Sequence, residues 1–142
     1  MRTWCLVRHG VIVIATIGLG LGCTSGFDPA PAQTAANEAS AVAHMKTIVV
    51  AETAYHAANG RFGTLEELAG ANPPFIAGAI ATGTVNGYAF AEAVMPSETE
   101  FAYTAAPVEP GETGVRRFYV DQTGIVRSTA DGTTPTADSP PA

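Results

Sequence analysis

Positive charge is what this sequence has least of. Its 142 residues contain seven Lys plus Arg against thirteen Asp plus Glu, a formal net charge of −6. No basic run reaches the density that phosphate contacts require, which excludes nucleic acid as a partner. Cysteine and histidine are also scarce. Two Cys (Cys5, Cys23) and three His (His9, His44, His56) are too few and too scattered for a structural zinc site, and neither metal nor cofactor is expected. A Gly-x-Ser-x-Gly elbow and a phosphate-cradling glycine loop are both missing, so no catalytic residue is expected and the chain reads as non-enzymatic. The apolar run Val11–Leu21 has eleven residues, well short of the ~20 that span a bilayer. Only 14% of residues are charged, yet 46% are hydrophobic, too many for a wholly disordered chain. The length fits one domain with accessory segments.

That apolar run follows Arg2 and Arg8 and stops at Gly22, Cys23 and the polar Thr24-Ser25-Gly26, the layout of an export signal. Stretching it back over Arg8 and His9 into a membrane span would bury charge at about 3 kcal/mol. The segment Leu19-Gly20-Leu21-Gly22-Cys23 resembles the lipobox of bacterial lipoproteins, with the required small residue before the Cys but Gly20 where Leu is usual. The resemblance implies cleavage ahead of Cys23 and acylation of its thiol, giving a signal peptide over 1–22 and anchorage to a membrane through lipidated Cys23. It places the protein in the cell envelope, facing the periplasm or exterior, and Thr24 in place of Asp implies the outer membrane. An ordinary secretory signal with an incidental Cys and an uncleaved anchor are the other two readings. After processing, five of the seven basic residues and all thirteen acidic ones would remain, a net charge of −8. The only thiol left would be the lipidated one, so packing alone must hold the domain.

Residues 23–36 comprise the lipidated Cys and a Pro- and Ala-containing stretch that reads as a flexible tether, and 130–142 reads as a disordered tail of the same character. The folded unit is then 37–129. Asn37 is the expected N-cap of a helix of about 22 residues, with Glu38 in its first turn and Asn59-Gly60 as its stop. Ala41, Met45, Ile48 and Tyr55 form its apolar stripe. Thr64-Leu65-Glu66-Glu67 fits a capping box opening a second, short helix, and Phe75 to Thr84 reads as a loop. Alternation then predicts strands over Gly87–Val94, Glu100–Ala106, Val115–Val120 and Ile125–Ser128, the last two joined by a tight Asp121-Gln122-Thr123-Gly124 turn. The expected fold is α+β: a long N-terminal helix packed on an antiparallel sheet of about four strands.

A long helix, a loop and an antiparallel meander is the layout of type IV pilins and pseudopilins. Asn37 to Ile48, Ala51-Glu52-Thr53-Ala54-Tyr55, Gly60 to Leu65, Gly87-Tyr88-Ala89-Phe90, Thr104 to Pro107 and Asp121 to Arg127 resemble the soluble part of such proteins, those of type II secretion included. The resemblance implies a pilin-like domain with pilus or secretion-system proteins as partners. The assembling members carry a Gly-Phe-Thr-Leu-Ile-Glu type start and a continuous apolar stem, and neither is present here. The first expectation is therefore an exported, lipid-anchored, pilin-like envelope protein with a structural or protein-interaction role. The alternatives are an atypical pseudopilin or minor pilin subunit, and a small ligand-binding or hydrolytic lipoprotein.

A few residues invite a sharper reading. Glu52 interrupts the apolar stripe and is expected, at the stripe's edge, to reach solvent or cap a backbone group; the alternatives are a charge lock for a partner helix and an acid with a raised pKa. His56 lies four residues on, on the same face, but His44 is about 18 Å away along the helix, too far to share a metal. Arg116, Arg117 and Arg127 fall on neighbouring strands, where they are expected to balance Glu109, Glu112 and Asp121; the alternative is an acidic partner or a lipid headgroup. Tyr88, Phe90, Phe101, Tyr103, Phe118 and Tyr119 are expected to be core at alternate positions, with any outward-facing ones available for binding.

Overall fold

The computed structural model describes residues 29–142, so the expected signal peptide and Cys23 lie outside the described residues. Helix α1 spans Pro29–Asn59, 31 residues or about 46 Å. It is already helical two turns before Asn37. A tertiary contact holds the added turns, Thr34 Oγ1 donating to the Glu112 carbonyl oxygen at 3.0 Å, and within the helix Gln33 Nε2 donates to Asn37 Oδ1 at 2.9 Å. Asn37 is therefore no N-cap, and the expected tether is helical from Pro29 onward.

The stripe that faces the core is Ala41, Met45, Ile48, Glu52 and Tyr55, spaced by alternating steps of four and three, with Ala51 beside it, and all are buried. Two short helices follow, α2 (Leu65–Gly70) and α3 (Gly78–Ala81). The capping box of α2 is complete: Glu67 N–H donates to Thr64 Oγ1 and Thr64 N–H donates to Glu67 Oε2. Leu65, Leu68, Ile76 and Ile80 from this region close one end of the core.

The sheet is a sequential antiparallel meander of five strands, β1 (Thr84–Val85), β2 (Tyr88–Val94), β3 (Ala102–Pro107), β4 (Arg117–Asp121) and β5 (Arg127–Thr129). The fold is thus α+β with one long helix and an antiparallel sheet, one strand more than expected. The additional strand is β1, which pairs Thr84 with Ala89 and Val85 with Tyr88. It turns over Asn86 (φ 48°) and Gly87 (φ 75°), the two consecutive positive-φ residues that a tight hairpin demands. Tyr88, Phe90, Tyr103, Ala105, Phe118 and Val120 face α1, and the alternate positions face away. Gly124 closes the β4–β5 turn at φ 72°, with its N–H donated to the Asp121 carbonyl at 2.9 Å.

The last thirteen residues are not a disordered tail. The chain folds back along β5: Ser128 N–H donates to the Pro140 carbonyl and Ala142 N–H to the Val126 carbonyl, each at 2.9 Å, and Arg127 bridges Pro141. Pro135 is fully buried. Composition suggested disorder because Pro and small polar residues bring little apolar area. Backbone pairing along an otherwise open strand edge supplies what composition does not.

Candidate functional site

The most chemically unusual position is Glu52. Its place in the stripe turns it inward, where it is 0% exposed, so it does not reach solvent; it accepts from a backbone N–H and its pKa is raised, as the other readings of this position had it. Two elements meet it. From the loop before α2, Gly63 N–H donates to Oε2 at 2.9 Å. From β3, the Tyr103 hydroxyl sits 2.5 Å from Oε1 and 2.6 Å from the Gly63 carbonyl oxygen. Tyr103 has one hydroxyl proton and two acceptors close by. The hydroxyl is placed to donate to Glu52 Oε1, with the Gly63 carbonyl oxygen as the second acceptor in reach; a protonated Glu52 would free that proton for Gly63 and leave every polar atom paired. Burial pushes the Glu52 carboxyl above its ordinary value and the Glu67 charge adds to this, against the Tyr103 and Gly63 hydrogen bonds and Arg61. Burial and the neighbouring Glu52 likewise hold the Tyr103 hydroxyl far above the usual phenol range.

Around this triangle lies a second layer. Arg61 grips Glu67 with both terminal nitrogens, at 3.0 and 2.5 Å, and that contact leads the causes that lower the Glu67 carboxyl to about 2. Glu92, opposite Tyr103 on β2, accepts the Leu65 N–H at 3.1 Å. Gly63 is required for close approach, since a Cβ there would come within 2.9 Å of the Tyr55 ring. The network thus bolts the 60–65 loop to both α1 and the sheet.

His56 does not join it. The imidazole Nε2 lies 3.0 Å from the Glu98 carbonyl oxygen, and the ring packs on Phe62 at 4.5 Å. Beside it is a pocket of about 140 Å³ lined by Val49, Thr53, His56, Phe62, Phe101 and Gln122. His44 sits edge-on to Phe90. Among the described residues, no group of three or more His, Cys, Asp or Glu is placed to hold a metal, and no helix is long and apolar enough to cross a membrane.

A second polar join fastens the start of α1. Glu38 accepts from the backbone N–H groups of Val115 and Arg116 and from Arg116 Nε, at 2.9, 3.0 and 2.8 Å. Burial opposes its charge, but these donors win and lower its pKa. Asn37 Nδ2 donates to the Thr113 carbonyl at 2.9 Å. The expected neutralisation of the arginines by Glu109, Glu112 and Asp121 is therefore wrong in its pairs. Arg116 goes to Glu38, while Arg117 and Arg127 have no carboxylate partner among the described residues. Of the strand aromatics, only Tyr119 is turned to the outer face. Tyr103 as the partner of Glu52 was signalled only by its inward register, which sequence alone could not pair with a helix position. No protein-family model, curated protein or solved structure matches the chain.

Proposed function

We propose that this chain is an exported, lipid-anchored envelope protein whose α+β domain, of pilin-like layout, serves as a non-enzymatic interaction module. The observation that carries the reading is the conjunction of the Leu19–Cys23 lipobox-like segment with a domain that opens, close behind it, on the long helix α1. The internal chemistry is compatible with it: Glu52, the carboxyl whose pKa burial raises, is sealed in the core and locks a loop. Partners are then reached through the exposed sheet and loop surfaces, with a pilus or type II secretion apparatus as the candidate assembly. The test of the anchor is metabolic labelling with a palmitate analogue: wild type incorporates the label and Cys23→Ala does not.

A second reading, an atypical pseudopilin subunit, draws support from one observation. Because α1 is helical from Pro29 and not from Asn37, five residues of sequence, Thr24–Asp28, lie between it and Cys23 in place of the longer tether expected. Cell fractionation separates the two readings. An assembling subunit co-sediments with sheared surface filaments, whereas an anchored module stays with the membrane.

A further inference from the structure

A carboxyl sealed from water is stable as an anion only when a cation or enough donors reach it. Glu52 is 0% exposed, and the two ion pairs among the described residues, Arg61–Glu67 and Arg116–Glu38, leave it out. Charged and titratable groups surround it from every element packed on it. They are Tyr55 one turn on along α1, Arg61 in the loop, Glu67 on α2, Glu92 on β2 and Tyr103 on β3. Arg61, the one basic group of this set, is already committed to Glu67 and lies over the Tyr55 ring at 5.6 Å.

The 60–65 loop closes the site. Gly63 gives its N–H to Glu52 Oε2 at 2.9 Å, and its carbonyl oxygen lies 2.6 Å from the Tyr103 hydroxyl. On either side, Phe62 N–H donates to the Ser97 carbonyl at 2.8 Å and Leu65 N–H to Glu92 Oε1 at 3.1 Å. Glu52 and Tyr103 are carried by a long helix and a central strand, each held by its own ladder of hydrogen bonds. The loop has no such ladder, so it is the wall that gives way first. With it goes Phe62, whose ring packs on His56 and Phe101 at 4.5 and 4.7 Å and closes the 140 Å³ pocket they share.

We propose that the 60–65 loop is a proton-operated latch: protonated Glu52 keeps Gly63 docked and the Phe62 wall shut, and ionised Glu52 releases them. The protonated carboxyl leaves the Tyr103 proton free for the Gly63 carbonyl. Ionisation draws that proton to the carboxylate, strands the Gly63 carbonyl and puts a charge where water cannot reach it. Opening the loop relieves both costs. The direction follows from linkage. Burial holds the Glu52 carboxyl above its ordinary 4.5 while the loop is closed, so the closed form binds more protons and loses its advantage as pH rises through the raised value. The Arg61 contact lowers Glu67 to about 2, so its opposing contribution is complete above about pH 5 and flat beyond it. The Tyr103 hydroxyl, far above the phenol range, does not titrate in this window. The latch is independent of the anchor and of any partner.

The experiment is amide hydrogen exchange, read by NMR on the isotope-labelled full chain in neutral detergent from about pH 5 to pH 8, with each rate divided by that of an unstructured peptide at the same pH. Gly63 and Leu65 report the latch, and Phe118 reports the central sheet. The expected result is weaker protection at Gly63 and Leu65 than at Phe118, with Gly63 protection falling by up to about tenfold per pH unit. Glu52→Gln abolishes that fall. Tyr103→Phe removes a donor to the ionised carboxylate and moves the fall to higher pH. His56→Gln leaves it in place, since Glu52 and not the imidazole is the group that ionises. A fall that is absent from the wild type, survives in Glu52→Gln or disappears in His56→Gln overturns the proposal. Wild type and Tyr103→Phe decide it even without a folded Glu52→Gln, because a fall at unchanged pH in Tyr103→Phe also contradicts it. Equal protection at Gly63 and Phe118 does so too, for the loop would then open only with the whole domain.

Discussion

Replacing Glu52 by Gln tests whether a neutral carboxyl is part of the folded core. Glutamine keeps the shape, accepts from Gly63 N–H and can donate to Tyr103, but it does not titrate. It also brings a second amide hydrogen with no acceptor in the buried triangle, which costs about 1–2 kcal/mol. In the wild type the folded pKa lies above the ordinary 4.5, so the contribution of Glu52 is complete below about that pH and is lost as pH rises through the folded value. The loss accrues at up to about 1.4 kcal/mol per pH unit in that window. Glu67 on α2, Arg61 in the loop, Glu92 on β2 and Tyr103 on β3 surround the carboxyl, and all are retained in the variant. The lowered carboxyls of Glu67, Glu38 and Asp131 work in the opposite direction, stabilising at high pH and losing that effect on acidification. They are common to both proteins and cancel in the difference. Urea unfolding from about pH 4 to pH 8 should therefore show wild type ahead at the acid end and its lead shrinking or reversing as pH rises. A constant difference, or one that grows in favour of wild type with pH, would refute the neutral carboxyl and make Glu52 an ordinary buried anion.

Three other outcomes follow from the packing. Tyr103→Phe leaves the Gly63 carbonyl and Glu52 Oε1 without their shared hydroxyl and should cost about 1–3 kcal/mol in denaturant melts; a change below about 0.5 kcal/mol would contradict the network. Glu38→Ala strands two backbone N–H groups and Arg116, for a loss of about 2–4 kcal/mol and faster hydrogen exchange at Val115 and Arg116. Deleting residues 131–142 removes the acceptor of Ser128 N–H. That amide should exchange markedly faster while Phe118 in the central sheet keeps its protection, and unchanged protection at Ser128 would show that the segment does not pair with β5.

The legibility of this fold in its sequence varies by element, for physical reasons. The α2 capping box and the Asp121–Gly124 turn are local devices, and both form as read. The inward side of β2 and β3 was legible from alternation, since the pleat fixes it. The Asn86-Gly87 hairpin carried a sequence signal as plain as the others, but the two-residue strand it serves shows no alternation to read. What sequence could not supply was partnership at a distance. The start of α1 depends on Glu112, Thr113, Val115 and Arg116, nearly eighty residues away, which turns a presumed cap at Asn37 into a mid-helix tie. Glu52 looked like an edge residue because an acid in an apolar stripe normally reaches water; only Tyr103 and Gly63 make its burial tolerable. The closing segment 130–142 was read from composition, which is blind to an open strand edge. Arg117 and Arg127 were assigned to acids nearby in sequence, whereas Asp121 spends its carboxylate on the Thr123 N–H and hydroxyl.

The account rests most heavily on Cys23, and one measurement addresses it directly: the mass of the N-terminal peptide of the protein purified from the membrane fraction. The account predicts a peptide beginning at Cys23 and carrying acyl chains. An intact Met1, or a free N-terminus elsewhere without lipid, would contradict the anchored module.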